Sequence, residues 1–243
     1  MNLLLLDQPD LISPDRALIS GRRVDHLVKT NQCQQGKILC TGLLNGPIGT
    51  GQILEFSGDK IQLEIQLNEN PPAPAPVQLV LALPRPKYLG RIIQSVTTLG
   101  VKSIHLINSF RVEKSFWQSQ QLGTETLHEE LLLGLEQSRD TILPKVHLHR
   151  GFKPFVEDVA PGLLIHSQGL VAHPGSRVRS DRNSSEAHRH LPQHWTLAVG
   201  PEGGWIDYEV EKFLEAGFQL HFWGERTLKI ETALVALLSR LLP

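Results

Sequence analysis

The chain has 243 residues, 40% of them apolar and 20% charged, and a formal net charge of -1. That length holds one large or two modest domains with ample material for a core. The charge excludes a protein that grips nucleic acid over its whole surface, but not one with a local basic face. Cys33 and Cys40 are too few, and not spaced as CxxC, for a disulfide framework or a zinc knuckle, so reduced, buried thiols are expected. The opening MNLLLL meets Asp7 too soon for a signal sequence, and no apolar run reaches membrane-spanning length. A soluble, cytoplasmic chain with no membrane partner is expected.

Residues 1–70 read as a small β-rich domain. Strand-like runs fall at 2–6, 37–41, 51–56 and 60–67, separated by Gly, Asn, Pro and Asp turns, with a helix-like stretch at 23–30. Arg16, Arg22, Arg23, Lys29 and Lys37 stand against a single acid, Asp25, in the segment they span. Such a surface suits phosphate contacts; it equally suits a solvated charged face. Pro71-Pro72-Ala73-Pro74-Ala75-Pro76 can hold neither a helix nor the centre of a sheet. Residues 71–76 are therefore expected to be a stiff, extended linker and the domain boundary.

From residue 77 strands and helices alternate. The unbroken apolar run 77–83 predicts a buried parallel strand. A helix follows over 88–99, with Leu89, Ile92, Ile93 and Val96 on one face and Gly100 as its stop. Then come a strand at 101–107, a long helix at 124–140, and strands at 145–149, 162–166, 196–199 and 219–223. The alternation predicts an α/β fold with a parallel sheet covered on both faces. Residues 167–194 are polar and carry His173, His188, His190 and His194 without the acids or cysteines a zinc site needs. A mobile surface insertion and no metal are expected there.

The chemistry points to residues 199–242. Gly200-Pro201-Glu202-Gly203-Gly204 follows an apolar strand directly, and three glycines in five residues admit positive φ and close approach of main chain to a ligand. Asp207 suits an N-cap, Val210, Phe213 and Leu214 stripe the next helix, and Gly217 ends it. After a short strand and the loop 225–230, Leu234, Leu237, Leu238 and Leu241 stripe a final helix. Two loops thus leave the carboxyl ends of two strands, where open α/β sheets bind ligands; the alternative is two ordinary strand-to-helix turns. No GxGxxG or GxxxxGK[ST] turn follows the first strand, and no G-x-S-x-G elbow occurs, which disfavours dinucleotide, P-loop and hydrolase chemistry.

GPEGGW, an amphipathic helix and then Gly224-Glu225-Arg226-Thr227-Leu228-Lys229-Ile230-Glu231-Thr232-Ala233 together resemble the SPOUT methyltransferases, specifically the RsmE-type 16S rRNA (uracil-N3) methyltransferases. The resemblance covers the whole chain. Asp25-His26-Leu27 resembles the family's HHL segment, residues 81–84, 93–94, 99–101 and 111–112 its first βαβ unit, and Gln137-Ser138 the start of its QSGR motif. It implies a PUA-like RNA-binding β-barrel at 1–70 and a SPOUT domain at 77–243 whose parallel sheet is tied in a trefoil knot, an exception to the rule that chains do not thread loops.

The same resemblance implies S-adenosylmethionine (SAM) as cofactor and 16S rRNA or the small ribosomal subunit as partner. A homodimer through the final helix would cover that helix's apolar surface. Cofactor contacts would come from His166, Gly200, Pro201, Glu202, Gly203, Gly204, Trp223, Gly224, Leu228, Ile230, Thr232 and Ala233. RNA contacts would come from Arg16, Arg22, Arg23, His26 and Lys29. The reaction implied is methyl transfer to N3 of a uridine. N3–H is a weak acid, so a cation to stabilise the anion is wanted, and Lys229 and Arg111 are the candidates. The sequence departs from the family at Lys229-Ile230 for Arg-Thr, at Arg139 for Gly, at Ser95 and Thr98 for Lys and Glu, and at Asp25 for His. The cofactor turns are intact. A paralogue acting on another rRNA or tRNA site, and a non-catalytic RNA-binding relic of the fold, remain open; SAM binding separates the relic from both enzymes.

Overall fold

The computed structural model describes residues 2–173, 194–222, 224 and 226–242. The chain divides into two compact units, Met1–Ala73 with His128–Leu143, and Pro74–Leu127 with Pro144–Pro243. The division falls inside the proline run, but the second part is not continuous in sequence: 128–143 belongs with the first unit.

That unit contains β1 (Leu4–Leu6), β2 (Leu11–Ser13), β3 (Arg16–Ser20), α1 (Arg22–Lys29), β4 (Ile38–Leu43), β5 (Ile48–Ser57) and β6 (Lys60–Glu69). The sheet order is β1-β4-β5-β6-β3-β2, with β1 parallel to β4 and the other pairs antiparallel. On β3 and β6 the period of two puts Ala17, Ile19, Ile61, Leu63 and Ile65 inside. The four leucines after Asn2 have no polar alternation because both faces are covered. Leu4 and Leu6 join Ala17, Ile19, Ile53, Ile61 and Leu63, while Leu3 and Leu5 pack with Ile48 and Leu135. Leu135 comes from the returning segment, whose Glu136 carbonyl accepts from the Asn2 and Leu3 N–H groups at 2.9 and 3.0 Å. Cys33 and Cys40 are half-buried rather than buried, and pack against different clusters.

The second unit runs β7 (Val77–Ala82), α2 (Pro86–Thr98), β8 (Ser103–Ile107), the start of α3 (Thr124–Ser138), then β9 (Lys145–His149). Next, α4 (Phe152–Pro154), a π turn (Phe155–Val159) and α5 (Ala160–Leu163) form one helical segment. β10 (Gln168–Ala172), β11 (Trp195–Val199), α6 (Asp207–Glu215), β12 (Gln219–His221) and α7 (Ile230–Leu238) complete it. The sheet is parallel throughout, in the order β12-β10-β11-β7-β8-β9. Leu79, Val80, Leu81 and Ala82 are all fully buried, as a strand covered on both faces requires.

Three expectations are corrected here. Residues 162–166 are not a strand: α5 ends at Leu163 and Ile165 is exposed. The strand is β10, inside the stretch that reads as a polar insertion; the rest of that insertion, 174–193, with His188 and His190, lies outside the described residues. Gly169 hides β10 from a propensity reading, and it is required there, because a Cβ would lie 2.8 Å from both Leu164 and Phe218 side-chain atoms. Second, Ile206, not Asp207, caps α6, and its N–H is held at 3.0 Å by the Glu209 carboxylate. Third, α7 does not need a twin to bury its stripe. Ile230, Leu234, Leu237 and Leu238 are buried within one chain, where α7 packs on α2, leaving Val235 exposed. Edge-on contacts among Phe152, Trp205, Phe213 and Phe218 fix α6 beside the sheet.

Candidate functional site

A cavity of about 190 Å³ opens at the carboxyl ends of β10 and β11. Strand order reverses here: β7 leads outward to β8 and β9, and the chain then returns to the other side as β10 and β11. Such switch points leave a crevice between diverging loops. The cavity is lined by Ala172 and His173 after β10, Val199 through Gly204 after β11, Gly224, Arg226, Thr227 and Leu228 before α7, and Ile230, Ala233 and Leu237 on it.

The glycine turn has an internal reason for its composition. Gly204 has φ +73°, and a Cβ on Gly200 would lie 3.1 Å from the Trp205 nitrogen. A Cβ on Gly203 would lie 2.8 Å from Cδ of Arg111. Gly200 and Gly203, both on the cavity wall, are therefore also needed to close the turn and seat an arginine. Three side chains fasten this turn to neighbouring loops. Glu202 accepts from the Arg85 N–H at 3.1 Å, and Arg111 donates to the Gly203 carbonyl. Glu209, only 2% exposed, accepts from the Phe110 N–H at 2.7 Å as well as from Ile206. The loops after β7, β8 and β11 are thus tied together at the same end of the sheet.

The structure brings Gly200, Pro201, Glu202, Gly203, Gly204, Gly224, Leu228, Ile230 and Ala233 to one cavity. It does not bring His166 there. That residue sits in the turn before β10, at the strand's amino end, and the histidine at the carboxyl end is His173. The buried Nδ1 of His173 has no hydrogen-bond partner among the described residues. Thr232 is exposed and outside the lining, and Trp223 lies outside the described residues. Lys229 caps α7 and is exposed, away from the cavity wall, and Arg111 is engaged on the turn. The cation that lines the cavity is Arg226, which sequence reasoning passes over although it stands in the 224–233 motif. Ala172, His173 and Thr227 escape it too; the misplaced strand conceals the first two.

The basic stretch of the first unit is less free than its composition suggests. Both guanidinium nitrogens of Arg22 bind the Glu136 carboxylate, at 2.9 and 2.6 Å. Arg23 binds Asp10 through two contacts, at 2.5 and 2.8 Å, and the Leu5 carbonyl at 3.0 Å. Forked pairs of this kind commit the charge locally. Burial, then the nearby amino terminus, lowers the pKa of His26, which favours the neutral ring. Arg16 and Lys29 remain exposed.

A second polar cluster lies between β8 and β9, where His105 stacks on His147 and His149 with centroids 4.7 and 5.3 Å apart. Burial, reinforced by the two neighbouring rings, pushes His105 down to about 4. Among the described residues no group of three or more His, Cys, Asp and Glu is arranged to hold a metal ion, and no helix is long and apolar enough to cross a membrane.

Residues 71–242 match the family described as RNA methyltransferase domain. A ribosomal RNA small subunit methyltransferase E of Treponema pallidum is 28% identical over 240 residues, covering 97% of this chain and 88% of the relative. Its namesake in Synechocystis is 26% identical, over 98% and 76%. The solved structure of the Neisseria gonorrhoeae enzyme of that name, bound to S-adenosyl methionine, superposes with a TM-score of 0.75 at 21% identity, over 99% of this chain and 96% of that one.

Proposed function

The chain belongs to the RNA methyltransferase domain family, and on that premise we propose that it methylates N3 of a uridine in 16S rRNA with SAM as donor. The observation that carries this is one cavity lined both by the GPEGG turn and by Gly224, Arg226, Thr227, Leu228, Ile230 and Ala233, from the two motifs that resemble the RsmE-type enzymes. The relatives named above carry the small-subunit specificity in their names, and the Neisseria structure carries the cofactor.

The residues suit SAM. Val199, Leu228, Ile230 and Leu237 offer apolar contact, the turn offers main-chain groups, and the buried His173 Nδ1, which has no partner among the described residues, offers a hydrogen bond. When bound, SAM supplies the methyl group. The protein's part is to orient and to stabilise charge. Arg226, on the cavity wall, is the cation to stabilise the negative charge left on the uracil as its N3 proton passes to solvent water and N3 takes the methyl group. Arg111 keeps the turn in shape, and Lys229, exposed at the head of α7, is placed for phosphate rather than for the reacting base. Exposed Arg16 and Lys29 are the phosphate contacts of the first unit, which we read as a PUA-like RNA-binding module. We read the second unit as a SPOUT domain with a knotted carboxyl-terminal part, acting in the cytoplasm as a homodimer with Val235 on the paired face. The fold likeness to the Neisseria enzyme supports the SPOUT reading.

Calorimetry with SAM tests the proposal. One site per chain is expected, with binding abolished in Ala233→Phe, which puts a ring on the cavity wall, while circular dichroism is unchanged. A wild-type protein that binds no SAM would sink the enzyme reading and leave an RNA-binding relic of the same fold.

A further inference from the structure

Phe110 is 78% exposed, the most exposed large apolar side chain among the described residues. An exposed ring on a mobile tip would carry little meaning, but this loop is fastened at Asn108, Phe110, Arg111 and Val112. The Asn108 N–H donates to the His149 carbonyl at 2.9 Å, and Asn108 Oδ1 accepts from the Trp117 indole at 2.9 Å. The Val112 N–H donates to the Ser109 carbonyl at 3.1 Å. The Phe110 N–H itself is held by the buried Glu209 carboxylate, and the next residue, Arg111, is fixed to the Gly203 carbonyl of the cavity turn. Burying a carboxylate is costly unless it is well hydrogen-bonded, and here its bonds to Phe110 and Ile206 join the Phe110 loop to the stretch after the turn. The fold thus uses a buried acid to hold an aromatic ring out in water.

Folding gives no reason to expose that ring. RNA recognition does: single-stranded bases stack on aromatic side chains, and a rigid platform loses least entropy on binding. Lys114, exposed four residues on, adds a cation on the same loop. The carboxyl end of β8 is two strand spacings from that of β11, about 10 Å, so the ring and the cavity turn stand side by side on one end of the sheet. We propose that Phe110 is the stacking platform for an unpaired base of the RNA substrate, and that Glu209 is the positioning residue that holds the platform in register with the 200–204 turn. This rests on the RNA methyltransferase reading above.

The test compares Phe110→Ala, Phe110→Leu and Phe110→Trp in the full chain. Filter binding to unmodified 16S rRNA transcript and methyl incorporation from labelled SAM are read side by side. Alanine and leucine are expected to weaken RNA binding and raise KM for RNA roughly tenfold or more, with SAM affinity and kcat nearly unchanged. Tryptophan is expected to restore both. A short single-stranded RNA carrying a fluorescent purine analogue should be quenched only by wild type and by the Phe110→Trp variant. Leucine binding as well as wild type would overturn stacking, and so would a shift from dimer to monomer in sedimentation, which would make the ring a contact between copies. If RNA binding depends on Phe110 but wild type binds no SAM, the methyltransferase reading has failed and the platform stands.

Discussion

In the first unit β3 and β6 alternate buried and exposed side chains, whereas in the second β7 buries residues 79–82 in unbroken succession. An antiparallel sheet with one wet face can carry charge along its whole length. A parallel sheet covered by helices has only its strand ends to offer a ligand, so everything specific must gather in loops. The charged side chains of the basic stretch and of the cavity rim differ accordingly. In the first, Arg22 and Arg23 pair with the carboxylates of Glu136 and Asp10. In the second, Arg111, Glu202 and Glu209 bind main-chain groups of other loops. Pairing charges steadies a surface, and capturing main chain shapes a crevice.

Three substitutions or conditions probe that contrast, taken from the largest expected effect down. Leu135 is fully buried on the returning segment, and Leu135→Ala should cost the first unit about 2–5 kcal/mol in chemical denaturation. SAM affinity of the remaining native protein should not move; if it falls, the two units do not divide the work as argued. Glu209→Ala leaves the Phe110 and Ile206 N–H groups without their acceptor and should cost the second unit about 2–4 kcal/mol. SAM affinity should fall with it, and Glu209→Gln, which keeps one acceptor oxygen but turns an NH2 donor toward the other N–H, should lie between the alanine variant and wild type in both. A second-unit transition indifferent to Glu209→Ala would show that the loops hold without their clamp.

The smallest effect is one of pH. His105 is held neutral down to about pH 4 in the folded state, while in an unfolded chain it takes up a proton near its ordinary value of 6.5. The unfolded state therefore binds more protons between those values, and stability falls as pH drops through that window, by roughly 1–3 kcal/mol. His149, shifted the same way by burial and then His147, adds to the slope. Above pH 6.5 no change from this source is expected. His105→Phe should flatten the acid limb of the second unit in a urea series across pH; an unaltered limb would assign the slope to other groups.

Much of the candidate site is legible because it is local. Gly200 through Gly204 and the 224–233 stretch declare turns within ten residues, and the βα alternation that puts them at strand ends depends on short-range periodicity. The cavity's other wall is not legible. Gly169 weakens the signal of β10, so periodicity places the strand one turn too early and points to His166 in place of His173. Glu209 looks like an ordinary capping glutamate for Ile206 until its second partner, the Phe110 N–H, arrives from 99 residues away.

By itself the sequence determined that a small β-rich part precedes a parallel α/β part, that a proline run divides them, and that two glycine-bearing loops leave strand ends. These follow from propensities summed over short windows, which no distant contact needs to confirm. Only the tertiary structure decided that 128–143 returns to the first unit, that Arg22 is spent on a carboxylate 114 residues away, that α7 is covered by α2, and that Arg226 rather than Lys229 reaches the cavity. An apolar stripe or a charged side chain states that it needs a partner. Which partner it finds is settled by burial and pairing across the whole chain.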